Sequence, residues 1–416
     1  MAAPPHWRQG SCRDHWMMTG WKGFEEVRTM SPNSRRHRTT RLLHRGRAGF
    51  GENGLAPVNQ PPVRASTIRA TDLETFERES PYATKGTDTT RALGAALREV
   101  EGGDACHLCP SGLAAIAVAL TALTRSGDHI LVSDALYFPT RRLLNTLLKD
   151  YGVSTTYFGP HATTDEIAAM MRDDTAVVFL ESPGSDTLEV LDVPAIAAAA
   201  RQRGAVTMID NTWSAGWLFD PFAAGCAVSI QAATKYQAGH GDVLLGAVLS
   251  TDEVADRIAH AHLSLGQCPG SEEAWLTLRG LRTMPLRLQR QGEGALKIAH
   301  WLTERDEVAA VLHPALPGHP GHEIFQRDFT GASGLFSFVL KPEYDDAATR
   351  RMLDGLELFG LGASWGGYES LVMRKRVREI RSVSDWPHDG WLIRLSIGLE
   401  EPDDLMADLQ AGLERL

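Results

Sequence analysis

Ser229-Ile230-Gln231-Ala232-Ala233-Thr234-Lys235-Tyr236, followed by Gly239-His240-Gly241-Asp242, is the stretch on which the reading of the whole chain turns. It starts as a short strand without charge, then places Thr234 and a lone Lys235 ahead of a glycine-bearing turn. A lysine buried there without a partner loses the hydration of its ammonium. Covalent capture of the amine by an aldehyde removes that cost. Read alone, the same letters also fit an ordinary surface lysine, so the neighbouring segments have to decide.

Upstream, strands and helices alternate. Strands are expected at Ile130 to Val132, Val153 to Phe158, Ala176 to Leu180, Val206 to Ile209 and Ser229 to Ala232, and again at Val243 to Leu249. Helices are expected at Thr90 to Val100, Ala114 to Leu123, Arg141 to Tyr151, Thr164 to Arg172 and, capped by Asp192, Val193 to Arg203. Continuous apolar strands alternating with helices imply an α/β fold with a mostly parallel sheet covered on both faces. Ligands in such sheets sit at the carboxyl ends of strands. Glu181-Ser182-Pro183, Asp210-Asn211-Thr212-Trp213 and Thr234-Lys235 each lie at such an end. Downstream, Ser271 to Arg290 reads as one helix and Gly292 to Arg305 as a second. Strands at Leu335 to Leu340, Ser370 to Met373 and Leu392 to Ile397 and a closing helix from Pro402 complete a smaller α+β domain. The divisions expected are a basic arm or a segment before the true start at 1–38, an arm at 39–85, a large domain at 86–281 and a small one at 282–416.

Composition narrows the function. With 416 residues and a net charge of −10, the body has no excess of positive charge for nucleic acid or an anionic membrane. No apolar run approaches the roughly 20 residues of a membrane span. Cys106 and Cys109 have redox-motif spacing but no second pair, and read as small buried hydrophobes in a reducing, cytoplasmic protein. His313, His319 and His322 read as loop histidines. Residues 1–50 carry ten Lys/Arg against three Asp/Glu, without an apolar signal core. A nucleic-acid-binding tail and a start at Met30 are both readings of that stretch.

The chemistry to be tested is that of pyridoxal phosphate (PLP). Its site needs a lysine for the aldehyde, a carboxylate on the ring nitrogen, phosphate donors, a flat partner for the ring and an arginine for the substrate carboxylate. Lys235 supplies the first. Asp210, 25 residues earlier at the end of an apolar strand, supplies the second or is a turn cap. Tyr137 stacks on the ring or is a core aromatic. Pro110-Ser111-Gly112 opens a helix, so the N–H groups of Gly112 and Leu113, with Thr234, suit a phosphate, or Ser111 is simply an N-cap. Arg394, a charge in the apolar run Leu392-Ile393-Arg394-Leu395, needs an anion, either substrate or structural.

Taken together, these stretches resemble the Cys/Met-metabolism family of PLP enzymes, and within it the bacterial cystathionine β-lyases, from about Thr39 to the C-terminus. Asp210 to Trp213, Ser229 to Asp242, Leu278-Arg279-Gly280-Leu281-Arg282-Thr283 and Ser364-Trp365-Gly366-Gly367-Tyr368-Glu369-Ser370-Leu371 carry the resemblance. It implies PLP-dependent transferase fold type I, aspartate-aminotransferase-like. It also implies a homotetramer built from dimers, with Tyr82 reaching into the neighbouring subunit's site. Under the resemblance Lys235 is the Schiff-base lysine and Asp210 the ring-nitrogen partner. Tyr137 stacks on the ring, and Gly112, Leu113 and Thr234 bind phosphate. Ser364, Trp365 and Arg394 hold the substrate α-carboxylate. The family's usual arginine two residues after Tyr82 is Thr84 here, with Lys85 beside it, and Ala233 stands for a usual serine. Both departures remove phosphate donors.

The implied reaction is cleavage of L-cystathionine, or a related cysteine S-conjugate, to homocysteine or another thiol, pyruvate and ammonia. Trp213 and Trp365 favour this β chemistry over relatives that act at Cγ (γ-lyases, γ-synthases and homoserine-derivative sulfhydrylases), unless the indoles serve packing alone. A PLP-fold protein with a regulatory or binding role is the alternative from another class.

Overall fold

Neighbouring residues along the central strands are equally apolar, and each parity packs into its own core. Ile130, Val132, Val177, Phe179 and Met208 face one way, against Ile116 and Leu120 of the helix Gly112–Leu123. Leu131, Val178, Leu180 and Ile209 face the other, with Leu93 and Leu97 of the helix Asp88–Glu101. Only a sheet covered on both sides buries both sets. The computed structural model describes residues 36–383 and 386–416. Residues 1–35, with Met30 and nearly all of the expected basic arm, lie outside the described residues.

The large sheet contains β1 (Ala105–Cys109), β2 (His129–Ser133), β3 (Ser154–Phe158), β4 (Thr175–Glu181), β5 (Val206–Asp210), β6 (Val228–Gln231) and β7 (Gly246–Ser250). Their order is β1-β7-β6-β5-β4-β2-β3. β2 is parallel to β3 and β4, and β4, β5 and β6 run parallel in turn. β7 is antiparallel to both β6 and β1. A second sheet is built from β8 (Val308–Leu312), β9 (Leu335–Leu340), β10 (Gly360–Leu361), β11 (Leu371–Lys375) and β12 (Leu392–Ser396), in the order β10-β11-β12-β9-β8. Phe336, Phe338, Ile393 and Leu395 of this sheet share a third core with Ile298 and Leu302 of the helix Met284–Leu302 and with Leu405 and Leu409 of the closing helix Pro402–Leu413.

Several boundaries differ from the sequence reading. The helix expected over Ser271 to Arg290 is divided into Ser271–Leu281 and Met284–Leu302. Pro285 lacks an N–H and its ring would collide with the Leu281 carbonyl, so it is accommodated only in the first turn of a new helix. β7 starts at Gly246 rather than Val243, because the backbone of Leu245 is taken up by Thr234: Thr234 N donates to Leu245 O (3.0 Å) and Leu245 N to Thr234 Oγ1 (3.0 Å). The helix expected from Arg141 starts at Phe138 and continues as a π turn, Leu144–Leu148. His322 opens a helix, His322–Asp328, instead of lying in a loop. Cys106 and Cys109 sit on β1, three residues apart, and pack into opposite cores, so strand geometry keeps them from meeting.

Candidate active site

β4, β5 and β6 end side by side, with Glu181 paired in register with Asp210. The turn after β6 returns Lys235 over those ends: Lys235 N donates to Ala232 O (3.0 Å) and Gly239 N to Lys235 O (2.8 Å). Lys235 Nζ donates to Ser364 Oγ at 2.8 Å and lies 5.3 Å from the centre of the Trp365 ring. Residue 366 has to be glycine here. Its φ is +80° and a Cβ would sit 3.0 Å from Tyr236 N. Burial is the main cause that lowers the Lys235 pKa to about 8. Arg394 lowers it further, and Asp210 opposes. Lys235 thus loses its proton more readily than an exposed lysine.

Asp210 is buried at the end of β5. Its Oδ1 accepts from Thr212 N (3.1 Å) and Thr212 Oγ1 (2.6 Å). Burial raises its pKa, while the Thr212 bonds and Lys235 work against the rise. Glu181 is partly buried and its pKa is raised well above the ordinary value, first by burial and then by Asp210. Tyr137 N donates to Glu181 Oε2 at 2.6 Å, which fixes the tyrosine beside the strand ends. Its phenol pKa is raised, by burial first and then by Asp210 and Glu181.

Behind Asp210 lies a second buried acid that the sequence reading passed over. Glu101 Oε1 accepts from Ser229 Oγ (2.5 Å), Asn211 Nδ2 (2.8 Å) and Gln231 Nε2 (2.9 Å). Gln231 Nε2 also donates to Asn211 O (3.0 Å), so Glu101 braces the turn that carries Asp210. Burial raises the Glu101 pKa to about 7 against these three bonds and the Arg38 charge.

The helix Gly112–Leu123 points its first turn at Ala232. Ser111 Oγ caps Ala114 N (3.1 Å), and the N–H groups of Gly112 and Leu113 have no acceptor among the described residues. A Cβ on Gly112 would come within 2.6 Å of Ala232 Cβ. The side chain facing this cradle is therefore Ala232. Ala233, singled out in the sequence, is wholly buried in the core. Thr234 Oγ1 donates to Leu245 O (3.1 Å), so its donor is engaged within its own turn.

Arg394, on β12, is buried. Its Nη1 donates to Asp186 Oδ1 (2.9 Å) and its Nη2 to Ala363 O (2.9 Å). Trp213 takes a different place from Trp365. Its Nε1 donates to Leu335 O (3.0 Å) and its ring packs edge-on against Phe325 and Phe329, so it serves packing. Tyr82 and Thr84 are not brought to Lys235 within the chain. They line a separate cleft with Cys268, Gly270 and Glu273. The neighbouring Lys85 Nζ reaches Glu79 O at 3.5 Å. The structure therefore gathers Lys235, Asp210, Tyr137, Gly112, Leu113, Ser364, Trp365 and Arg394, and leaves Tyr82 and Thr84 outside. Glu101, Asp186 and Lys375 escaped the sequence reading. Glu101 and Lys375 show only as charges at the end of an apolar segment, and Asp186 only as a turn residue in Pro183-Gly184-Ser185-Asp186-Thr187.

These groups fit pyridoxal phosphate. A part-buried amine of lowered pKa, a buried carboxylate with a free oxygen and two unused helix N–H groups behind a glycine match its aldehyde, ring nitrogen and phosphate. The comparisons agree. A putative cystathionine β-lyase of Rhizobium johnstonii is 46% identical over 379 residues, covering 90% of this chain and 95% of that protein. Cystathionine β-lyase MetC of Escherichia coli is 42% identical over 390 residues, covering 91% of this chain and 98% of that one. Among solved structures, a cystathionine γ-synthase of Xanthomonas oryzae pv. oryzae in complex with cystathionine superposes with a TM-score of 0.84 at 32% identity, covering 91% of this chain and 98% of that chain. Residues 40–414 match the model of one family from the arm to the closing helix, and with the lysine, acid and helix turn standing as described, the chain belongs to the Cys/Met metabolism PLP-dependent enzymes.

Proposed function

We propose that the protein is a carbon–sulfur β-lyase that cleaves L-cystathionine, or a related cysteine S-conjugate, to homocysteine or the corresponding thiol, pyruvate and ammonia. The observation that carries this reading is the placement of Lys235 Nζ beside Ser364 and Trp365, within the opposing fields of Arg394 and Asp210. The β-lyase relatives, at 46% and 42% identity, support it over the γ-synthase at 32%. With Trp213 buried in packing, the sequence argument for β over γ chemistry now rests on Trp365 alone.

When bound, the cofactor supplies an electron sink for negative charge at the substrate α-carbon. Asp210 keeps the ring nitrogen protonated, and Tyr137, anchored through its backbone by Glu181, covers the ring. Gly112 and Leu113 donate to the phosphate. Arg394, with Ser364 and Trp365, holds the substrate carboxylate, which places the α-hydrogen toward Lys235. Lys235 takes that proton as its amine, a role its lowered pKa suits near neutral pH. Expulsion of the thiol from Cβ then needs no second proton to leave carbon, whereas γ chemistry does.

Tyr82 and Thr84 act, in this reading, in the site of a second subunit of a homotetramer built from dimers. The arm that carries them exposes Phe50, Leu55, Val58 and Phe76, an apolar set suited to a subunit interface. The test is product identity with L-cystathionine and added PLP. Pyruvate formation that is lost in Lys235→Ala supports the reading. 2-Oxobutyrate instead moves the enzyme to the γ branch.

A further inference from the structure

An arginine reserved for a substrate carboxylate should not have its charge cancelled by an internal acid, yet Asp186 lies against Arg394. Both side chains are buried, with Arg394 Nη1 to Asp186 Oδ1 at 2.9 Å. The arrangement makes sense once Lys375 is added. Its Nζ pairs with Asp186 Oδ2, the oxygen that Arg394 leaves free. Two cations and one anion leave a net charge of about +1 at the guanidinium. Geometry points the same way. Asp186 takes one Nη1 hydrogen and Ala363 O one Nη2 hydrogen, so the guanidinium is held at both ends. Its Nε–H has no acceptor among the described residues. Asp186 is itself fixed. Its φ is +65°, a conformation that Asp and Asn tolerate, and Ser337 Oγ donates to its carbonyl at 2.6 Å. Ser337 stands opposite Arg394 in the β9–β12 ladder, so one register sets both partners.

We propose that Asp186 and Lys375 are positioning residues for Arg394: Asp186 aims the guanidinium, and Lys375 neutralises Asp186 so that the aimed arginine keeps its charge for the substrate carboxylate. This rests on Arg394 being the carboxylate-binding arginine.

The experiment is a double-mutant cycle on the PLP-loaded enzyme, with kcat and KM for L-cystathionine and the inhibition constant of propionate, a carboxylate without an amine. Lys375→Gln leaves Asp186 to cancel Arg394. KM and the propionate constant should each rise roughly tenfold, with kcat within about threefold of the parent, the size expected for one partly screened charge. Asp186→Asn keeps the backbone conformation and an oxygen to accept from Nη1. Added to Lys375→Gln it restores the net charge, and both constants should return to within about threefold of the parent. A merely structural role would make the two changes additive, and that result overturns the proposal. So does a Lys375→Gln enzyme of parental KM and propionate affinity. Arg394→Lys tests the underlying reading separately. If it leaves KM and propionate binding unchanged, Arg394 is not the carboxylate site, whatever the cycle shows.

Discussion

The turn at Gly112 allows the sharpest test of the proposed phosphate site. A Cβ built there lies 2.6 Å from Ala232 Cβ and 3.2 Å from Ala232 Cα. Carbon atoms settle at about 3.5–4.0 Å, so Gly112→Ala requires a separation of roughly 1 Å. The β6 side cannot supply it easily. Ala232 N is held by Thr212 Oγ1 (2.9 Å), and Ala232 O holds Lys235 N (3.0 Å). The first turn of the helix Gly112–Leu123 must give instead, carrying the N–H groups of Gly112 and Leu113 away from the phosphate. Hydrogen bonds to a charged group contribute about 1.5–3 kcal/mol each. Losing the better part of two such bonds costs about 2–3 kcal/mol of PLP affinity, or roughly 30- to 150-fold. Equilibrium titration of the apoenzyme with PLP, followed by absorbance, measures this directly. Gly112→Ala combined with Ala232→Gly removes the offending methyl and should recover affinity to within about fivefold. Parental affinity in Gly112→Ala would refute the assignment of this turn to the phosphate. Failure of the double variant to recover would show that the Ala232 methyl is not the cause.

Two further outcomes follow from the buried acid and from the arm. The Glu101 pKa is raised from 4.5 to about 7, so the folded protein holds a proton that the unfolded chain has lost between those pH values. Stability therefore falls as pH rises through that window, by about 3 kcal/mol at 1.36 kcal/mol per unit, and Glu101→Gln lacks this slope. Chemical unfolding at pH 5 and pH 8 should show the Gln variant gaining on the parent at the higher pH, and an equal difference at both would contradict the assignment. Thr84→Arg should tighten PLP binding by about tenfold if the arm enters a neighbouring subunit's site, since arginine adds a charged pair that threonine cannot make. Unchanged affinity would place Thr84 away from the phosphate.

The large sheet was legible because its strands are apolar at both parities, a pattern that only two-sided cover explains. β1 was not. Ala105-Cys106-His107-Leu108-Cys109 carries weak strand signals, and its place is set by antiparallel pairing with β7, about 140 residues away in sequence and invisible to a local pattern. The helix Asp346–Asp354 was missed for a related reason. Its buried face is Ala348, Thr349, Met352 and Leu353, too small and too polar for a clear periodic stripe. The division at Pro285 was readable, since proline does not fit the interior of an unbroken helix, but the apolar periodicity on either side of it masks the interruption.

In the site, Lys235 and Asp210 announced themselves as charges at the ends of apolar strands. Their surroundings did not, because a buried acid and a surface acid are the same letter. Glu101, Glu181 and Asp186 become distinct only through partners far away in sequence: Glu101 with Asn211, 110 residues on, and Asp186 with Arg394, 208 residues on. Their positions explain how so many charges share one low-dielectric place. Asp186 is balanced by Arg394 and Lys375, and Asp210 faces Lys235. Glu181 has no ion pair among the described residues, and burial with Asp210 beside it pushes it toward the neutral form. Around Tyr137 stand Asp210 and Asp186 as well, with Lys235, Arg394 and Lys375 as their cationic neighbours. The acid without a cation is the one that gives up its charge. Arg394 and Lys375 together outweigh Asp186 at the end of the site proposed for the substrate carboxylate, and an excess of positive charge is what a carboxylate requires.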